Sequence, residues 1–112
     1  MAVDLLRAGY ATLVDEIAQE KASALGRLGR RLEAALAELA ACPRTPHTDR
    51  TIRDRLVAQA GDALWLFVVQ REACGLNKIA PVLQQYGVPN EVYARMEPLA
   101  VRRSDQTFAL GG

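Results

Sequence analysis

Cys74 is the most reactive side chain in the stretch "LWLFVVQREACGL", residues 64–76, and Arg71 and Glu72 sit just before it. A nucleophilic cysteine needs a base within reach and a positive local field. On a helix, Glu72 and Cys74 point to different faces, and the last turn supplies the negative end of the dipole. The single histidine, His47, belongs to a turn at the other end of the chain's first hairpin. The expectation is therefore a small core cysteine closing a helix, not an active-site thiol. Cys42, His47 and Asp49 are close in sequence, but their spacing matches no common metal site. The reading there is a solvated turn.

Arg44, Arg50, Arg53 and Arg55 gather around the same turn, with Arg27, Arg30 and Arg31 further back. Such a cluster could contact phosphate. Asp49, Asp54 and Glu33 dilute it, and no aromatic residues interleave for base stacking. The net charge is +1 with signs interspersed, which gives no general pull towards nucleic acid or anionic lipid. "ACGLNKIAPVLQQYGVPNEV" has a faint helix-turn-helix outline. Arg71, four residues before its glycine, and Pro81, six after it, break that pattern. No glycine-rich phosphate loop, acid–base pair or nucleophile triad is present. No catalytic, cofactor-binding or metal residue is assigned.

The elements that must position these residues are helical. Half of the 112 residues are hydrophobic and only 5% are aromatic, with alanine and leucine, both strong helix formers, dominant. Residues 3–41 carry an apolar stripe at Leu6, Tyr10, Leu13, Ile17, Ala24, Leu28, Leu32, Ala35 and Leu39, with Lys21 in the one missing slot. Its step averages near ~3.7 residues, which suits a straight helix. Gly26 and Gly29 interrupt the pattern without shifting its phase, so one continuous helix is expected. Ala18, Ala22, Gly26 and Gly29 form a stripe of small residues beside it.

"ACPRTPHTDR" ends that helix, and Thr48 or Asp49 can cap the next. The second helix runs from about Arg50 to Cys74, with Gly75 placed for a left-handed stop. Asn77 is the expected cap of a third helix reaching Tyr86 and Gly87. "VPNEVYARM" makes a fourth, to about Met96. Residues 98–112 show no stable period and read as a tail beyond a single domain, 1–97. The N-terminal sequence lacks a signal-peptide pattern, and no apolar run approaches the ~20 residues of a membrane span. A cytoplasmic location is expected.

A short loop makes helices one and two antiparallel. Residue i should then meet roughly residue 91 − i, to within a few residues. That register places Trp65 against Gly26 and Arg71 against Glu20, as an ion pair. Residues 64–69 are apolar on every side, which one neighbour cannot cover. The fold class is all-α: a long antiparallel hairpin followed by two short helices, paired into a dimeric four-helix bundle. Leu64, Trp65 and Phe67 are the expected anchors of the subunit interface.

"EKASALGRLGRRLEAAL", "LWLFVVQREACGL" and "YGVPNEV" together resemble a family of small, uncharacterised bacterial helical proteins, a domain of unknown function. The resemblance covers most of residues 10–96. It implies a short cytoplasmic helical protein and carries over no activity, ligand or site residue. The function expected is a non-enzymatic helical interaction or regulatory protein, a homodimer with an unidentified protein partner. A nucleic-acid-associated protein using the arginine cluster is the alternative. A binder of a small apolar ligand in the bundle core is a third, weaker reading.

Overall fold

A computed structural model describes residues 2–45 and 49–96. Helix α1 is Ala2–Ala41, α2 is Arg50–Ala73 and α3 is Ala80–Tyr86. A further helix, α4, occupies 90–96. There is no strand among the described residues. The expected tail, 98–112, lies outside them, as do His47 and Thr48.

The helix ends follow from local chemistry. Asp49 caps α2 by accepting the Thr51 amide at 2.9 Å. At the other end Gly75 adopts φ +83°, the Leu76 amide donates to Arg71 O at 2.8 Å, and the Gly75 amide donates to Glu72 O at 3.0 Å. This is the Schellman arrangement, which satisfies the last carbonyls of the helix. Gly87, at φ +59°, closes α3 in the same way, with the Val88 amide on Leu83 O at 3.0 Å. Helix α3 starts later than the Asn77 cap predicts: Ile79 is its cap and Pro81 falls within the first two turn positions. Capping at Asn77 would put Pro81 fourth in the helix, where its missing amide should bond the cap carbonyl.

Helices α1 and α2 pack antiparallel, and all four helices feed one core. Leu32, Ala35 and Leu39 come from α1, and Ala60, Ala63, Leu64 and Phe67 from α2. Val82 comes from α3, and Val92 and Met96 from α4. Leu64 and Phe67, expected at a subunit interface, are buried inside the chain. The short helices α3 and α4 fold back onto the hairpin and cover part of what α1 leaves open; Leu66 and Val69 of α2 stay exposed. Gly61 permits this approach: a Cβ there would meet Arg95 Cγ at 3.2 Å and the Met96 backbone nitrogen at 3.5 Å.

The hairpin register differs from the expected one by about one turn. Gly29, not Gly26, accepts an aromatic pair. A Cβ on Gly29 would lie 3.0 Å from the Tyr86 hydroxyl and 3.3 Å from Phe67 Cε1. Phe67 and Tyr86 meet edge to face, centroids 5.2 Å apart. Only Arg30 Nη1, at 3.4 Å, approaches the corresponding point on Gly26. Helix α1 runs unbroken through both glycines.

These two glycines should respond oppositely to substitution. Gly26→Ala should raise stability by about 0.5–1 kcal/mol, the helix-propensity difference. Gly29→Leu must displace Phe67 and Tyr86, and overpacking of about 1–3 kcal/mol should outweigh that gain. Thermal unfolding followed by circular dichroism should show the midpoint rising for the first variant and falling for the second.

Candidate functional site

The stripe on α1 divides into two halves of the same phase. From Leu25 to Leu39 its apolar residues pack into or against the core. From Val3 to Ile17 the same face is uncovered: Leu6 is 73% exposed, Tyr10 71%, Leu13 52% and Ile17 48%, with Val3 and Val14 also open. The division falls at Lys21. Its Nζ donates to the Ala73 carbonyl at 3.5 Å, and its own carbonyl accepts from Gln70 Nε2 at 3.3 Å. Lys21 thus occupies the gap in the apolar stripe because α2 ends there. A cation at that point also complements the negative end of the α2 dipole.

Where α2 stops, the two helices form a step. Val14, Ile17, Ala18, Lys21, Ala22 and Leu25 provide one wall of a recess, and Ala73 and Cys74 the other; its volume is 450 Å³. Cys74 is half-buried at the rim, with Sγ 4.0 Å from the Lys21 carbonyl oxygen. It is the C-cap of α2, so it is not the core residue the sequence suggests. Beyond it, α1 has no neighbour among the described residues to complete the enclosure. Cys42 and Cys74 are both free thiols.

The expected Arg71–Glu20 ion pair does not form. Glu20 pairs along its own helix with Arg27 at 3.5 Å. Arg71 instead lies 5.9 Å from the Phe67 ring centroid and donates to Lys78 O at 3.5 Å. The one-turn register shift carries Arg71 past Glu20, and its place over Phe67 follows from the i, i+4 spacing along α2. Ala22, Gly26 and Gly29, three members of the small-residue stripe, floor a shallow groove beside Arg30, Phe67, Arg71 and Tyr86.

The turn brings together part of the arginine cluster and divides the rest. Glu91 of α4 accepts from Arg44 Nη2 at 3.0 Å and also from Arg53 Nη2. Two of the cluster's cations therefore serve to hold α4 against the hairpin turn. Asp49 is occupied as a cap, and His47 lies outside the described residues. No group of three metal-ligating side chains exists among the described residues. No helix among them is long and apolar enough to cross a membrane.

A model of a family of unknown function, DUF6665, matches residues 2–105. The chain belongs to this family. No curated protein and no solved structure matches the chain. The match spans the uncovered half of α1 as well as the packed core, so the overhang lies within the family's domain.

The uncovered face is the feature that sequence reasoning passed over. Its signal was present in the two helix lengths. A stripe on some forty residues faced a partner of about twenty-five, so about fifteen residues or more had to project beyond it.

Glu91→Gln should loosen α4 from the turn. Partly exposed pairs are worth about 0.2–1 kcal/mol, so the loss of stability should stay within that range. Glu20→Gln, on a fully solvated pair, should leave the unfolding midpoint unchanged. Chemical denaturation of the two variants side by side checks both expectations.

Proposed function

We propose that this protein is a non-enzymatic helical interaction or regulatory protein that works as a homodimer. The observation that carries the reading is the uncovered apolar face of α1, Val3 to Ile17. Monomeric proteins rarely expose contiguous apolar patches beyond a few hundred Å². At these exposures the six stripe residues offer on the order of 600 Å² of side chain, the upper end of what single chains carry. The rest of the chain points the same way. The core is apolar throughout, with no buried polar or charged residue among those described. Among the described residues Asp49 serves as a cap, and Glu20, Arg27, Arg44, Arg53 and Glu91 are engaged in ion pairs.

The face also lacks support from the described residues of its own chain. An isolated helix of this length is marginal in water, and most helical stability comes from packing an amphipathic face. Residues 3–21 are exposed on all sides. A partner laid on the stripe supplies what α2 supplies to the second half. We place the protein in the cytoplasm, a reading supported by its two free thiols.

The nucleic-acid alternative rests on Arg50 and Arg55, since Glu91 engages Arg44 and Arg53. The two readings separate by salt. Phosphate contacts weaken steeply as ionic strength rises, whereas an apolar interface does not.

Light scattering on the full chain should give a dimer mass at micromolar concentration, unchanged between 50 mM and 500 mM salt. A monomer at several hundred micromolar would overturn the homodimer. Binding to a random-sequence duplex that vanishes over the same salt range would favour the alternative.

A further inference from the structure

The uncovered face admits a more specific assignment of its occupant, which rests on the homodimer reading above. We infer that the first half of α1 pairs antiparallel with the same segment of a second copy, forming a two-layer rod and not a side-by-side four-helix bundle.

The stripe is self-complementary in one antiparallel register. Setting Leu6 opposite Ile17 of the second copy also sets Tyr10 opposite its Leu13. Val3 then falls opposite Glu20, at the edge of the paired stripe. Leu6, Tyr10, Leu13 and Ile17 each meet another of these four, and the arrangement has the two-fold symmetry of an isologous contact. A parallel pairing cannot do this. It would drive each copy's packed hairpin into the space where the other's hairpin sits, because α2 lies on the same face as the stripe.

The antiparallel pairing avoids that collision. The second copy's arm takes the line that α2 would follow if it continued past Ala73. Each arm projects about 28 Å beyond α2 at 1.5 Å per residue, so the N-terminal end of one α1 arrives at the end of the other copy's α2. The meeting is electrostatically favourable: the positive end of α1 faces the negative end of α2. Val3 and Leu6 of the arriving arm reach the recess at the step, the 450 Å³ space between Ile17, Ala18, Ala22, Leu25, Ala73 and Cys74. Leu76, 45% exposed just past the α2 stop, lies beside the arriving end.

The area is adequate. Two arms bring together on the order of 1,200 Å² of apolar surface, at the lower end of specific stable interfaces. The step recesses and α2 ends add to it. Leu64 and Phe67 are committed to the core of each copy, so they are not available for a bundle contact.

Three measurements on the full chain test the assignment. Small-angle scattering should give a maximum dimension of about 95 Å or more, the length of α1 followed end to end by α2. Leu6→Asp combined with Ile17→Asp should weaken dimerisation at least thirty-fold. Trp65 fluorescence and the cooperative unfolding of the hairpin core should be retained, since both substituted positions are outside that core. In a chain with Cys42→Ala and Cys74→Ala, a mixture of Leu6→Cys and Ile17→Cys copies should form a mixed disulfide readily. Either variant alone should cross-link poorly.

A compact dimer indifferent to the double aspartate substitution would overturn this assignment while leaving the homodimer reading intact. Preferential cross-linking of Leu6→Cys to itself would also overturn it. A chain that stays monomeric would overturn both. So would cross-linking of Leu6→Cys to cysteines placed in residues 97–112 of the same copy, which would assign the face to the tail.

Discussion

At 1.5 Å per residue α2 reaches about 36 Å along α1, which is itself about 60 Å long. The two helices are packed from the turn outward, so the whole shortfall appears at the N-terminal end of α1. Everything else in the molecule is arranged around that mismatch. The packed half receives α3 and α4, which join the same core, while Leu66 and Val69 of α2 stay exposed. The projecting half keeps an apolar stripe in the same phase and has no neighbour among the described residues. Lys21, bonded to the α2 terminus, stands at the boundary. The radius of gyration, 19.2 Å, exceeds the ~13 Å of a compact chain of about 100 residues, as an overhanging helix requires.

Within the packed half, two glycines set how closely the layers meet. Gly29 on α1 makes room for the Phe67–Tyr86 pair, and Gly61 on α2 makes room for α4. Each forgoes helix propensity of about 1 kcal/mol for an approach that a side chain would block. The aromatic pair then holds α3 to the hairpin, and Arg71 covers the Phe67 ring from above. Glu91 ties α4 to the turn through Arg44 and Arg53. The charged residues that look like chemistry in the sequence thus act as fastenings between elements. The apolar residues that look like ordinary core are the ones left facing outward.

The boundaries of α1 and α2, the Asp49 cap and the Gly75 and Gly87 stops were legible because each is a local event. A cap needs an oxygen near two or three amides. A left-handed stop needs a residue without Cβ. The stripe of α1 was legible for the same reason, since periodicity depends only on neighbours along one helix. The start of α3 was misplaced within this local scheme, because Pro81 forbids the turn that an Asn77 cap requires.

Register, burial and partner choice are not local. Trp65 against Gly26 and Arg71 against Glu20 both failed through the same one-turn shift. An antiparallel pair of apolar stripes can slide by a turn at little cost in pattern, and the shape of the Phe67–Tyr86 pair against Gly29 selects among the settings. Leu64 and Phe67 looked like interface residues because one neighbour could not cover them. Only the folding back of α3 and α4 showed that the chain covers them itself. The amino-acid sequence by itself determined an all-helical hairpin with its caps, stops and continuous stripe, because backbone hydrogen bonding and periodicity are written residue by residue. The tertiary structure decided which half of that stripe is core and which half is open, because that depends on where a second helix ends in space.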